Sequence, residues 1–370
     1  MDRKEAPGPD LRTAGIYVHF PFCRRACFYC HFFKKPFRPV TAAGYLKRLA
    51  MEARLRRDMA LSADSVYIGG GSPSLLDSVQ IQGMLEAVAR NFNLTSGAEI
   101  TLEANPEDVF PARLRELLRA GINRLSIGVQ SFAERDLRFL KRTHDAARAV
   151  QAVAMARDAG FANLSIDLII GLESQNAKSM ERNSRAIEAL KPDHVSVYIL
   201  EGVPSKRPPP GGGPRPASED RDVRLYSQAR QRLLELGFRH YEVSNFCRPG
   251  KASRHNLKYW GDEPYVGLGA SAAGFLDGRD YRNHADLNKY GAAIQAGKLP
   301  LARTRRLDPA KRRIITGLRL LAGIPATAFK PFSSAADFLL AEGFLVRRGG
   351  NIAVPPERML LLNEILGYFI

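Results

Sequence analysis

The chain has 370 residues, 45% of them hydrophobic and 25% charged, the balance of an ordinary globular protein rather than a disordered or fibrous one. Lys and Arg number 55 against 38 Asp and Glu, a net charge of +17 that favours anionic partners. No apolar run is long enough to span a bilayer, and four cysteines make no disulfide scaffold in a chain of this length.

The polar start, Met1 to Arg12, contains Pro7 and Pro9 and lacks an apolar signal core, which predicts a cytoplasmic location. Strand-like and helix-like segments then alternate from residue 15 to about residue 245. Ile16–Phe20 is β-rich and leads into Cys23-Arg24-Arg25-Ala26-Cys27-Phe28-Tyr29-Cys30. Thr41–Met59 reads as a helix, Ser65–Ile68 as a strand ending in glycines, and Pro73–Asn91 as an amphipathic helix. Glu99–Glu103, Arg124–Val129, Asn163–Ile170 and His194–Leu200 read as strands, with helices over Pro111–Ala120, Asp145–Ala159 and Ser179–Leu190 between them. This β-then-α order predicts parallel strands with helices outside. The Pro/Gly-rich stretch 203–217 interrupts it as a loop, and Val223–Leu236 and Arg239–Ser244 resume with a helix and a strand. After Ser271 the pattern changes to helix (Leu307–Leu321), helix (Ala335–Ala341), hairpin and a last helix (Pro356–Leu366). The basic residues bunch at Arg54, Arg56 and Arg57, at Arg303, Arg305 and Arg306, and at Lys311–Arg313 without forming a basic tail. A solvated basic surface therefore outranks nucleic-acid binding, and an acidic membrane surface agrees with the charge.

Three of the four cysteines sit within eight residues. Clustered thiols that cannot pair off argue against a disulfide. Three thiolates would hold three irons of a cubane cluster and leave the fourth iron open. A closed zinc site would need a fourth ligand, which His31 or His19 could supply. Cys247 is either a further iron ligand or a small buried residue.

The loop resembles the cluster loop of radical S-adenosylmethionine (SAM) enzymes, in which the open iron chelates SAM. The approach Tyr17-Val18-His19-Phe20-Pro21-Phe22-Cys23 resembles one branch, which holds oxygen-independent coproporphyrinogen III oxidase and the HemW-type haem chaperone. The oxidase has a fourth cysteine two residues after the last one of the loop and the chaperone has Phe; here Phe32 stands there, favouring the chaperone. His31 departs from the chaperone's usual Asp. The resemblance implies an incomplete (β/α)6 TIM-like barrel over residues 15–245 after a tail over 1–14. It further implies a linking segment over 246–300 and a small winged-helix-like α+β domain over 301–370.

It also implies the cofactors: a [4Fe-4S] cluster on Cys23, Cys27 and Cys30, with SAM held by Tyr17, Tyr29, Gly70, Gly71, Ser72, Glu103, Gln130, Arg142 and Asp167. Without the resemblance the glycine run reads as well as a tight turn, and Glu103 as a helix-capping acid. Gly69-Gly70-Gly71-Ser72-Pro73 ends a strand and opens a helix, where glycines admit a ligand and free N–H groups bind negative groups. Glu103 ends a strand with a carboxylate that can accept both hydroxyls of a ribose. Arg142 can pair with a carboxylate through two hydrogen bonds. Asp167 is a lone acid in an apolar strand, costly unless it is partnered. Glu173 stands where the family usually has Pro.

His255-Asn256-Leu257-Lys258-Tyr259-Trp260 resembles the chaperone's His-Asn-x-x-Tyr-Trp motif, which would make His255 a haem ligand; the residues alone read as well as a structural corner. Ala273 replaces a His of the family's glycine-rich segment. The function implied is a haem chaperone that binds haem and delivers it to acceptors such as respiratory cytochromes. The alternative is the oxidase, and an RNA-directed radical SAM enzyme rests on charge alone. A homodimer is left open, as is whether the chain is an enzyme, and no catalytic residue is assigned.

Overall fold

The computed structural model describes residues 12–57, 61–200 and 219–370. The tail up to residue 11 and the 203–217 loop lie outside them. Six parallel strands follow one another in chain order: β1 (Arg12–Phe20), β2 (Leu61–Gly70), β3 (Leu94–Ala104), β4 (Arg124–Gln130), β5 (Leu164–Ile170) and β6 (His194–Ile199). The helices between and after them are α1 (Pro39–Leu55), α2 (Ser78–Asn91), α3 (Pro111–Arg119), α4 (Glu134–Phe139), α5 (Ala146–Asp158), α6 (Ala177–Leu190) and α7 (Glu219–Glu235). This is the expected α/β class, a partial TIM-type barrel. Strand β5 shows why the strands are legible: every residue but Asp167 is buried, because helices cover one face and the barrel interior the other. Helix α2 begins at Ser78 rather than Pro73. Pro73–Leu75 form a single 3₁₀ turn, and Asp77 then caps the helix reciprocally with Gln80. The short α4 escapes the sequence pattern, being too brief to show a period.

The largest departure from expectation lies at the sheet's edges. On β6 the chain adds a hairpin, β7 (Arg239–Glu242) and β8 (Asn245–Cys247), of which β8 pairs antiparallel with β6 and β7 forms the edge beyond it. Helix α8 (Arg254–Trp260) follows, and then β9 (Tyr265–Leu268) joins β1 as a seventh parallel strand. Strands β10 (Ala273–Leu276), β11 (Arg279–Asn283) and β12 (Leu301–Arg305) extend that edge antiparallel, giving a twelve-stranded sheet. Residues 246–300 are therefore not a mere connector, and β1 starts at Arg12, inside the expected tail. The junction at β9 depends on Gly267: a Cβ there would lie 2.0 Å from the Ala273 carbonyl oxygen. No pattern of apolar residues announces such a contact.

Helix α1 is tied to this extension by a buried acid. Glu52 is 0% exposed; it accepts from Gly269 N at 2.7 Å, Tyr290 OH at 2.8 Å and Asn283 Nδ2 at 2.8 Å, and pairs with Arg56 at 3.1 Å. A buried carboxylate tolerates burial only when it is partnered in this way. Replacing Tyr290 by Phe removes one donor and no packing. It should lower stability by about 1.5 kcal/mol, read as a shift of the denaturant midpoint with unchanged slope.

Beyond residue 306 come α9 (Pro309–Gly317), α10 (Ser333–Ala341), a hairpin of β13 (Val346–Arg348) and β14 (Asn351–Ala353), and α11 (Leu362–Gly367). They enclose a separate apolar cluster that includes Ile314, Leu318, Phe329, Leu339, Ile352 and Ile365. Two backbone bonds, Val243 N to Arg319 O (3.0 Å) and Leu321 N to Tyr241 O (3.1 Å), fasten it to β7. Among the described residues no helix is long and apolar enough to cross a membrane.

Candidate functional site

A cavity of about 690 Å³ opens at the C-terminal ends of the parallel strands, where ligands of parallel barrels lie. Cys23, Cys27 and Cys30 line it, each partly exposed. The loop that carries them is closed at its base by a two-residue parallel ladder, Phe22–Cys23 against Lys35–Pro36. Lys35 N donates to Pro21 O (2.7 Å) and Phe37 N to Cys23 O (2.9 Å). Phe22 anchors the base, fully buried and edge-on to Tyr45 at 5.4 Å. The loop is thus fixed at its ends by backbone bonds, while its middle is held by side chains, with Phe28 and Tyr29 packed against a small apolar cluster of Leu140, Ile169, Leu172 and Leu200.

Among the described residues no three His, Cys, Asp or Glu side chains close on a single ion. A cubane needs no such convergence, since each thiolate takes its own iron. His19 is in any case engaged at both ring nitrogens, Nδ1 with Tyr17 OH (2.9 Å) and Nε2 with Phe33 O (3.0 Å). The three thiols therefore fit a cluster better than a zinc ion. Cys247 takes no part. It pairs across β8 with His194, the first residue of β6, at the opposite end of the strands.

Of the residues expected at SAM, Tyr29, Gly70, Gly71, Ser72, Glu103, Gln130, Arg142 and Asp167 all line the cavity. Tyr17 does not; its hydroxyl holds His19 behind the wall. The glycine run differs from the expectation in kind. Its N–H groups are not free: Gly70 N donates to Glu103 Oε2 (3.0 Å), Gly71 N to Phe20 O (2.7 Å) and Ser72 N to Phe22 O (2.9 Å). The glycines are needed for room. A Cβ on Gly69 would lie 2.8 Å from the Glu103 carboxylate and one on Gly71 2.6 Å from Phe22 O.

One residue not singled out by the sequence connects the site. Asn105, just past β3, donates from Nδ2 to Ser72 Oγ (3.0 Å) and accepts at Oδ1 from Arg142 Nη2 (2.7 Å). Arg142 Nη1 lies 3.6 Å from Cys27 Sγ and 3.4 Å from Tyr29 OH. The chain Ser72–Asn105–Arg142–Cys27 thereby joins the glycine turn, the end of β3, the Arg142 loop and the cysteine loop. Burial works against the Arg142 charge, but Tyr29, Cys27 and Glu107 beside it hold the guanidinium more firmly protonated than usual. Its loop is anchored by Glu107, which accepts from Thr143 Oγ1 (2.5 Å) and sits 3.2 Å from His144 Nδ1. Although burial opposes it, these hydrogen bonds bring the Glu107 pKa down to about 2.

Glu103 accepts from Tyr67 OH (2.9 Å) and Gly70 N (3.0 Å). Burial, with Asp167 adding its charge, pushes its pKa up to about 7. Asp167 is partnered by Ser126 Oγ at 3.2 Å, and burial raises its pKa too. Gln130 reaches the cavity from a left-handed backbone position, φ 66°.

His255, expected as a haem ligand, does not line the cavity and meets the site only through Tyr67, the donor to Glu103. Its side chain is 0% exposed. Nδ1 meets Ser65 Oγ at 3.1 Å, Nε2 meets Tyr259 OH at 2.8 Å, and the ring stacks on Tyr67 with centroids 5.4 Å apart. Its backbone N donates to Glu99 Oε1 (3.3 Å), and Lys258 bridges Asp64 and Glu263 at 2.9 Å each. Helix α8 therefore closes the barrel at the end away from the cavity. Burial, with Lys258 and Arg124 adding to it, lowers the His255 pKa to about 3, so the imidazole is neutral and both its nitrogens are taken. His255→Ala leaves two buried hydroxyls unpaired and should destabilise the fold by about 1–2 kcal/mol, measured by urea unfolding, without selectively removing a ligand-binding signal.

The Radical SAM superfamily model matches residues 17–186. The chain is 33% identical over 318 residues to the heme chaperone HemW of Lactococcus lactis, covering 85% of this chain and 83% of that protein. It is 31% identical over 379 residues to the heme chaperone HemW of Escherichia coli, covering 97% and 99%. It is 38% identical over 275 residues to the mitochondrial radical S-adenosyl methionine domain-containing protein 1 of Bos taurus, spanning 73% of this chain and 62% of that relative. The solved structure of coproporphyrinogen III oxidase (HemN) from Escherichia coli superimposes with a TM-score of 0.83 at 24% identity, covering 97% of this chain and 90% of that one, which establishes the fold.

Proposed function

The chain belongs to the HemW-type radical SAM family, and from that premise we propose that it is a cytoplasmic haem chaperone. In this reading it carries haem as cargo beside a SAM-chelating [4Fe-4S] cluster and passes it to acceptor proteins such as respiratory cytochromes. Cys23, Cys27 and Cys30 would hold the cluster. Tyr29, Gly70, Gly71, Ser72, Glu103, Gln130, Arg142 and Asp167 would form the SAM side of the cavity. When bound, the cluster can supply one electron to the SAM sulfonium. The protein's part is position and electrostatics: Arg142 sets a fixed positive charge beside Cys27, Glu103 offers acceptors for hydroxyls, and the glycine turn leaves room for the Glu103 carboxylate, the His19 ring and the Phe22 carbonyl to pack against it. The net charge of +17 agrees with cargo that carries anionic side chains and with acceptors at an acidic membrane surface.

The observation that carries the chaperone reading over the oxidase is position 32. The oxidase has a cysteine there, whereas Phe32 projects here into solvent at the cavity rim, 62% exposed. The test is a haem titration of the anaerobically reconstituted protein, followed by the Soret band. Saturable binding of a single haem supports the reading, and absence of binding with the cluster intact overturns it. Clear conversion of coproporphyrinogen III to protoporphyrinogen, with SAM and a reductant, would replace it with the oxidase.

A further inference from the structure

We propose that Asn105 is a positioning residue for the cluster: it holds Arg142 as a hydrogen-bond donor to the Cys27 sulfur and thereby raises the reduction potential. This rests on the cluster assigned above to Cys23, Cys27 and Cys30. Arg142 makes one short hydrogen bond, from Nη2 to Asn105 Oδ1 at 2.7 Å. Its other contacts are longer. Nη2 lies 3.4 Å from Gly128 O, Nη1 lies 3.4 Å from Tyr29 OH, and Nη1 lies 3.6 Å from Cys27 Sγ, a distance that the larger sulfur atom allows. Nε is buried and pairs with nothing among the described residues. The bond to Asn105 is therefore the one that fixes the plane of the guanidinium, and the other arm of the same rigid fork faces Cys27.

Asn105 is itself held against turning. Arginine only donates, so the amide oxygen faces Arg142. The amide nitrogen then faces Ser72 Oγ, at 3.0 Å. The backbone of Asn105 is pinned as well: its N donates to Ser74 Oγ at 3.4 Å and its O accepts from Asp108 N at 3.0 Å. Hydrogen bonds to the sulfurs are among the means by which a protein sets the potential of an iron–sulfur cluster. Uptake of one electron from an external low-potential reductant adds a negative charge to the cluster. A cationic N–H donor at a ligand sulfur stabilises that added charge, and so favours the reduced form. Without Asn105 the guanidinium loses its short bond and leaves Cys27, and the cluster becomes harder to reduce.

The test is a redox titration of the anaerobically reconstituted full-length protein with dithionite, followed by the electron paramagnetic resonance of the reduced cluster. SAM is left out, so that no ligand carboxylate competes for Arg142. Iron and acid-labile sulfide are measured first on every chain. Asn105→Ala should be reduced about tenfold less readily, a midpoint about 59 mV lower for one electron, the low end of what a hydrogen bond to a charged group contributes. Arg142→Gln should move the midpoint in the same direction. Adding Asn105→Ala to Arg142→Gln should move it little further, because Asn105 acts through Arg142. An unchanged midpoint in Asn105→Ala with full iron content overturns the proposal. A full further shift in the Arg142→Gln background also overturns it. Should Asn105→Ala lose its cluster, Asn105→Ser decides, since its hydroxyl keeps the position polar but is too short to reach Arg142. A lowered midpoint there supports the proposal and an unchanged one overturns it. A wild type that assembles no cluster overturns the cluster assignment first, and this inference with it.

Discussion

Replacing Cys27 by Ala abolishes the iron–sulfur cluster: iron and acid-labile sulfide fall to background in the reconstituted protein, and the visible charge-transfer absorption disappears. The expectation follows from ligand arithmetic. Three thiolates hold three irons of a cubane, so the loss of one leaves two irons without protein ligands. Cys27 also lies 3.6 Å from Arg142 Nη1, so the variant removes the cysteine loop's contact with that guanidinium as well. The fold should survive. Cys27 lies between the two ends of a loop that are held by their own ladder and by Phe22, and the barrel core does not rest on it. Far-UV circular dichroism and the urea midpoint should therefore match the wild type. Cys247→Ala is the control, because Cys247 sits at the other end of the strands and its loss should leave iron content unchanged. Full iron content in the Cys27 variant would remove the assignment of the loop.

The cysteine loop is legible in sequence because its chemistry is local: eight residues carry both the ligands and their spacing. The barrel is legible for a related reason, since buried parallel strands are apolar runs and the helices between them show a period. What stays hidden is whatever needs a distant partner. Asn105 is unremarkable beside Pro106 until the fold brings Ser72 and Arg142 to its two ends. Glu52 reads as a solvated helix residue until Gly269, Asn283 and Tyr290, more than two hundred residues away, close around it. The glycine turn is found by its composition, but its role is inverted: bonds from β1 and Glu103 occupy the N–H groups that sequence leaves free. His255 shows the same limit from the other side, a motif that names a residue without telling whether its nitrogens are open. Residues 246–300 read as a connector because short antiparallel strands set by close glycine contacts have too little period to announce a sheet edge.

Glu103→Gln should weaken SAM binding about 10- to 100-fold above neutral pH, the scale of about 1.5–3 kcal/mol for a hydrogen bond to a charged group, and should abolish most of its pH dependence. An ionised carboxylate has about four acceptor sites on its two oxygens. Tyr67 OH takes one on Oε1 and Gly70 N one on Oε2. One site remains on each oxygen, the pattern that a ribose diol matches. Only the carboxylate form offers both, and burial with the neighbouring Asp167 raises the Glu103 pKa to about 7. Below that value the protein must lose a proton to bind SAM through both hydroxyls, so wild-type affinity should rise with pH and level off above about 7. Folding stability runs the other way. A carboxyl group whose pKa is higher in the folded chain than in the unfolded one favours the folded state fully below the unfolded value. That contribution is lost as pH climbs through the folded one. Binding and stability should thus move in opposite directions across the same window in the wild type, and both slopes should flatten in Glu103→Gln. Isothermal titration calorimetry of the cluster-loaded protein at several pH values, in buffers of different ionisation enthalpy, reads the proton directly. SAM affinity that is flat with pH in the wild type, or unchanged in the variant, would remove Glu103 from the ribose and leave it only the task of bracing Tyr67 and Gly70.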